Sequence, residues 1–389
     1  MKTNHLLLIL TLTVLFVGSS FAEYRADKPS GEGTKESPYL MESLENLLWL
    51  SENVTNVACG SFFLQTKDID ASETKDWRDG KGFPPIGIYD YENSSTGFTT
   101  IKFFNGTYDG NNHVIYGLNF AIHQPDVCCG LFGGVTNSII KNIVLEDVTM
   151  NASSFCCAAL AAYIVSTSIS NCHVGISFTQ KGDESSEIAG LVATIYKFGE
   201  ISNCSAKVVN LKGGNVGGLV SSCLFSAYII DPGAVNIRRC YTEGNISGYW
   251  AGGIVYSPNR ATMDDCYSWA NVSGKISAGG ISAFGVNLCK NCYYYGKVEN
   301  GNPISGGESS GEYSSVYYCS EQGNDPNPGV VGKTYAELLK KGTYEDWDFE
   351  NVWFIEEDVS LPTLSWETPE PCIGVILLLL FGLFVNKRK

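Results

Sequence analysis

Several sets of residues in this 389-residue chain have types and spacings that could do chemistry. Carboxylates gather at Asp183, Glu184 and Glu187 and again at Asp264-Asp265. A polysaccharide lyase or glycosidase needs such carboxylates, or Asp with Lys or Arg, converging on one face. Asp183 and Glu184 sit in KGDESSE, which reads as a solvated turn, and Asp264-Asp265 stands where comparable stretches carry Ser-Asn or Arg-Arg. Gly307-Glu-Ser309-Ser-Gly311 spells G-x-S-x-G, but that motif works between a strand and a helix, and here it reads as a turn. His113, His123 and His173 have no zinc-ligand spacing, no H-E-x-x-H occurs, and no EF-hand loop pattern is present, so no metal or cofactor is expected. Asp109 and His113 belong to an Asp109-Gly110-Asn111-Asn112 turn, which turn chemistry explains. No catalytic residue emerges.

Tyrosines and cysteines are the other two sets. Tyr293-Tyr294-Tyr295, with Tyr241, Tyr267 and Tyr317-Tyr318, can stack along one face. Exposed, Tyr293, Tyr294 and Tyr295 would contact a glycan; turned inward by strand alternation, they are core. Fourteen cysteines in an exported chain suggest disulfides. Their regular spacing suggests instead a column of buried thiols, since free Cys packs as a small hydrophobe. Cys128-Cys129 and Cys156-Cys157 hold matching places, so a cross-coil bridge is expected there first.

These residues are positioned by a repeat. A small corner residue recurs at Gly130, Ala159, Gly190, Gly218, Gly253, Gly280 and Gly307, in steps of 29, 31, 28, 35, 27 and 27. A second column follows at Ile143, Cys172, Cys204, Cys240, Cys266, Cys292 and Cys319. Its offset from the first is 12–14 except in the fourth copy, where Phe225–Val235 is inserted. Asn171, Asn203 and Asn291 directly precede their cysteines. A period near 28 with short β runs and Gly/Asn turns predicts an all-β parallel solenoid whose coils stack at ~4.8 Å. Glycines turn its corners and the second column faces its core. A β-sandwich would need tight hairpins at closer spacing, and none fall in phase.

The ends are separate. Met1–Ala22 has Lys2, an apolar stretch and a small-residue exit, a secretory leader for the Sec machinery with cleavage after Ala22. Residues 23–36 are a polar leader. Residues 37–99 hold an N-terminal cap, with a helix capped by Ser43 through Leu40, Leu44, Leu47 and Leu48, and the first strands. Repeats occupy 100–324. Residues 325–367, with a short helix at Lys333–Lys341 and an aromatic run from Trp347 to Trp366, should close the C-terminal end. The formal charge is −15, and the leader contributes only Lys2, so the remainder carries −16, which disfavours nucleic acid as a partner. Seven N-x-S/T sequons (Asn53, Asn93, Asn105, Asn151, Asn203, Asn245 and Asn271) would matter in a eukaryotic secretory pathway.

Residues 368–389 read Pro369-Glu370-Pro371, fourteen mostly apolar residues, then Asn-Lys-Arg-Lys. Fourteen is short of the ~20 that span a bilayer, but break, apolar run and cations follow stop-transfer logic. The segment resembles the bacterial PEP-CTERM sorting signal. That resemblance implies an exosortase as partner, cleavage near Pro369-Glu370-Pro371 and at least transient membrane insertion as a transmembrane helix. It departs from common members in Cys372 and in having few small residues. Elsewhere, Phe104-Asn-Gly-Thr-Tyr-Asp-Gly110-Asn-x-His113-x-Ile115-x-Gly117-Leu118, Gly130-Leu-Phe-Gly133 and Trp347-Asp-Phe349…Leu361-Pro362-x-Leu364 resemble GLUG-repeat bacterial surface proteins. The resemblance covers most of Ser37–Trp366, with later copies degenerate. It implies a right-handed parallel β-helix with short helical caps, in an adhesin-like protein of the cell surface or matrix, whose ligand would be a polysaccharide or another surface protein. It carries no catalytic residue across. A polysaccharide-acting β-helix enzyme is the alternative.

Overall fold

One column of residues explains why the chain coils. Asn142, Asn171, Asn203, Arg239, Asp265, Asn291 and Ser315 all have φ between 50° and 55°. Asn and Asp enter this left-handed region at lower cost than other residues with a side chain. Each ends a strand of one sheet and opens a strand of another; Val192–Ser202 precedes Asn203 and Ser205–Gly217 follows it. The chain then turns at Gly218 and returns as Val220–Leu224. The corner amides pair with the next coil: Asn171 N donates to Ser202 O at 3.0 Å and Asn203 N to Arg238 O at 3.1 Å.

This computed structural model describes residues 24–88, 102–121, 128–179, 185–224, 235–259, 261–307 and 311–367. Ala22, Asp183, Glu184, Ser309, Pro369, Glu370, Pro371, the leader, the C-terminal apolar run and most of the Phe225–Val235 insertion lie outside them. Among the described residues no helix is long and apolar enough to cross a membrane.

The coils stack into sheets of 13 and 14 strands. Pairing between equivalent strands is parallel: His173 with Val144 and Ser205, Tyr241 with Ser205 and Tyr267, Tyr293 with Tyr267 and Tyr317. The fold is a parallel β-helix. Strands Tyr39–Met41 and Ser61–Gln65 already belong to it. Its core is built one rung per coil. The residue after each small corner (Leu131, Leu160, Leu191, Leu219, Ile254, Ile281, Ile304) is fully buried, worth about 1.5–3 kcal/mol each. No coil buries its own face alone, so stacking is obligatory.

The last coil departs from the expected phase. Gly280 N donates to Asn302 O and Ile281 N to Ile304 O, both at 3.1 Å, so the seventh corner is Pro303 rather than Gly307. Tyr317 N donates to Cys292 O at 3.0 Å, so the seventh core rung is Val316 rather than Cys319. Gly307 is not a crowded corner, since a Cβ there would meet only Phe284 at 3.9 Å and Ala283 O at 4.0 Å, and Cys319 pairs with Lys333 outside the ladder. The cause is a shorter coil: the step falls from 27 residues to 23, and the Tyr294 ring fills the narrowed interior, 2.5 Å from where a Gly280 Cβ would stand.

At the N-terminal end α1 (Leu44–Asn53) buries Leu44, Leu47, Leu48 and Leu50; Ser43 holds the N-cap position without a side-chain bond. At the other end the loop after Cys319 closes the stack. Asp325 Oδ2 accepts the amides of Ile304 at 2.6 Å and Ser305 at 3.3 Å, in place of a further coil. A short helix, α2 (Tyr335–Leu338), opens with a Thr334/Glu337 capping box. The aromatic tail does not close the end, as expected from sequence; it runs back along the side as a strap. Trp366 reaches His173 at 4.9 Å and Tyr241 at 5.6 Å between ring centroids, and Tyr267 donates its hydroxyl to Glu367 at 2.8 Å. The reason is the outward tyrosine column, an apolar stripe that needs cover.

Candidate functional site

Alternation along the strands of the second sheet sorts its side chains. In three adjacent coils the inward positions are Cys240, Cys266 and Cys292. The next outward positions are Tyr241, Tyr267 and Tyr293, then Glu243, Trp269 and Tyr295, then Asn245, Asn271 and Lys297, then Ser247, Ser273 and Glu299. The face grades from covered to open along these rows.

The first row lies under the strap. Tyr241 and Tyr267 stack at 4.9 Å, Tyr267 and Tyr293 at 5.2 Å. With Trp347, Trp353, Leu361 and Leu364 they form a second apolar core outside the helix. Tyr293 is fully buried and donates its hydroxyl to Pro362 O. Tyr294 faces the main core and donates to Ala270 O at 2.9 Å. Neither can contact a glycan; of the two alternatives open from sequence, both residues take the buried one. Tyr295 is half-buried and packs on Tyr335 at 5.5 Å.

The open rows form two contiguous depressions of about 580 and 440 Å³, which share Asn271 and Lys297. The first is walled mainly by polar side chains, among them Asn245, Ser247, Ser273, Lys212 and Glu299, with Ile246 and Val272 also in its lining. The second is aromatic, with Trp269 and Tyr295 from the coils, Tyr335 from α2 and Leu361 from the strap. Its polar groups are held in place. Asn271 Nδ2 donates to Asn245 Oδ1, Asn245 Nδ2 to Val209 O, and Lys297 N to Asn271 Oδ1, each at 3.2 Å. Lys297 Nζ meets Glu299 at 2.9 Å, and that bond holds Glu299 below the usual carboxylate range. Trp269 Nε1 donates to Tyr293 Oη at 2.7 Å, which fixes the indole. Such a surface offers ring faces, amides and hydroxyls, a binding chemistry.

Among the described residues the candidate carboxylates do not converge. Asp265 accepts from Trp353 Nε1 at 3.0 Å and Asn291 Nδ2 at 3.2 Å, so it anchors the strap; burial pushes it up to about 6. Burial also raises Asp264. Glu187 lies elsewhere, accepting from Ser221 at 2.8 Å and from Ser222, with burial raising it too. Asp109 is partly buried, yet bonds from Lys141 at 2.9 Å, Asn142 at 2.8 Å and the Asn111 amide at 2.9 Å hold it low. His113 pairs with Asp68 at 3.0 Å. His173 bonds Ser205 at 3.0 Å under Trp366, and burial lowers it.

The interior column holds Ile143, Cys172, Cys204, Cys240, Cys266 and Cys292, all fully buried. Each thiol donates to the carbonyl two residues back, from Cys172 to Ser170 at 3.3 Å through Cys292 to Lys290 at 3.1 Å. A small side chain with a weak donor suits a corner that leaves this carbonyl facing inward. Burial raises Cys172, Cys240 and Cys292 well above the usual thiol range. The cross-coil bridge expected at Cys128-Cys129 and Cys156-Cys157 is not formed; all four are free. Cys129 does pair with Cys157 across the coils. The thiols of Cys128 and Cys156, and of Cys129 and Cys157, face each other unbridged, with Cys156 also 3.3 Å from Thr194 Oγ1 and Cys157 donating to Ser154 O at 3.7 Å.

Among solved structures, the chain resembles a provisionally assigned immunoglobulin A1 protease from Bacteroides ovatus. The TM-score is 0.54 at 18% identity, over 86% of this chain and 94% of that one, a likeness of fold alone. An IgA1 protease aligns at a TM-score of 0.40 and 14% identity, over 72% of this chain and 21% of that one. In sequence, 168 residues are 29% identical to halomucin of Haloquadratum walsbyi, covering 43% of this chain. The match spans 2% of halomucin's length. No family model matches.

Proposed function

We propose that the chain is an exported, non-catalytic β-helix of the cell surface or extracellular matrix, adhesin-like, sorted by an exosortase through Pro369-Glu370-Pro371. The observation that carries this reading is the open trench on the second sheet. It gathers rings, amides and hydroxyls on a rigid scaffold, while Asp265 is held by Trp353 and Asn291 and Glu187 by Ser221 and Ser222. The leader ending at Ala22, the GLUG-like repeats and the halomucin likeness support an extracellular setting.

Two experiments test it. Tagged protein in its native host should be found outside the cytoplasm, and replacing Pro369-Glu370-Pro371 should leave it unprocessed. Unchanged processing and location would defeat the exosortase reading. Incubated with a polysaccharide panel and with immunoglobulin A1, the protein should release no reducing ends, unsaturated products or peptide fragments; clear turnover of either overturns the non-catalytic reading. A polysaccharide lyase or glycosidase is the second reading. Glu187 favours it, a carboxyl raised by burial and oriented by two serines.

A further inference from the structure

The two depressions differ in chemistry but share a wall. The polar one climbs from Lys212 to Glu299 across four stacked strands, about 15 Å at ~4.8 Å per step. The aromatic one continues from Asn271 and Lys297 to Trp269, Tyr295 and Tyr335. Asn245 and Asn271 are exposed, and each spends only part of its donor and acceptor capacity on the ladder described above. The remaining valences face solvent at coil spacing. Trp269 and Tyr295 are half-buried and held by neighbours, so their rings are pre-oriented at little further entropic cost. Tyr335 opens α2 and is 39% exposed.

We propose that these depressions are one binding trench for a linear glycan lying along the helix axis. Sugar rings stack on Trp269, Tyr295 and Tyr335, and hydroxyls bond to the Asn245–Asn271 amide row and to Lys297. This rests on the surface-module reading and supplies its ligand class. Tyr335 opens α2, two residues past Lys333, which pairs with Cys319 on the second sheet, so the end of the helix itself carries this ring to the trench.

The test uses the full-length protein on an array of linear oligosaccharides, neutral and uronate-containing, followed by calorimetric titration of the tightest binder. Tyr295→Ala and Tyr335→Ala should each weaken binding about tenfold, and Ser273→Arg, which puts a long side chain into the polar half, should abolish it. Phe198→Ala, an exposed aromatic off the trench, should change nothing. The melting temperature of each variant checks the fold, and Ser273→Arg keeps the test decisive should Tyr335→Ala loosen α2. Failure of every glycan to bind overturns the trench. Binding that survives all three trench variants overturns it as well, and leaves the surface-module reading standing. Turnover of the bound glycan would instead sink that reading.

Discussion

Tyr293 and Lys297 stand on the same face of the same sheet, two outward rungs apart along the chain, yet one is fully buried and the other exposed. Nothing in the β-helix separates them; the strap does. Where Trp347, Trp353 and Trp366 cross the coils, the outward tyrosines become a second core. Where the strap ends, the same rows present amides and hydroxyls to solvent. In a solenoid, strand alternation decides in or out, but a segment from outside the repeat decides whether "out" means surface.

This contrast can be broken from several sides. Trp353→Ala should have the largest effect. Trp353 stacks on Trp347 at 4.2 Å and donates to Asp265, and truncating a buried Trp costs about 3–5 kcal/mol. Hydrogen exchange should place the loss in residues 334–367, with the cysteine coils still protected; uniform loss would mean that strap and helix are one cooperative unit. Next is Asn203→Val, which forces a β-branched residue to φ 52° at about 1–2 kcal/mol, whereas Asn203→Gly should be nearly neutral in urea denaturation. That pair isolates the corner that both halves of the face depend on.

A smaller effect is expected from pH. Burial raises Asp265 to about 6 and lifts Glu367 above its ordinary value, and both carboxyls hold the strap. Their protonated forms are favoured in the fold, so this contribution is fully present below the ordinary carboxyl range and is lost as pH rises through about 6. Strap amides, corrected for intrinsic exchange, should be better protected near pH 5 than near pH 7.5, and Asp265→Asn should flatten the difference. The smallest effect belongs to the open rows. Asn245→Ala should change stability by under about 0.5 kcal/mol, against several for Trp353 on the covered side. Thermal melts compare the two directly.

Much of the helix was legible because rungs repeat. The Gly130-to-Gly280 corners and the Ile143-to-Cys292 column stand where spacing puts them. The spacing failed at the seventh coil because Gly307 and Cys319 mimic the motif while Pro303 and Val316 occupy the positions. Residue type marked the glycine corners but not their left-handed counterpart, though Asn171-Cys172, Asn203-Cys204 and Asn291-Cys292 carried that signal. Tyr293 stayed open between core and surface for a physical reason: coverage is set by the strap's path, and the aromatic run from Trp347 to Trp366 states its appetite for a partner but not its direction. The trench was invisible because Tyr335, which meets Tyr295, lies outside the repeat in the helix that follows the last paired strand. Asn245 and Asn271 lie within the repeat, and their outward alternation could have flagged them.

The most direct test of the covered and open halves is tyrosine nitration of the folded protein, mapped by peptide mass spectrometry. Tyr241, Tyr267, Tyr293 and Tyr317 should stay unmodified while Tyr295 and Tyr335 react, and Trp353→Ala should expose the first four. Ladder tyrosines that react as readily as Tyr335 in the unmutated protein would contradict the account.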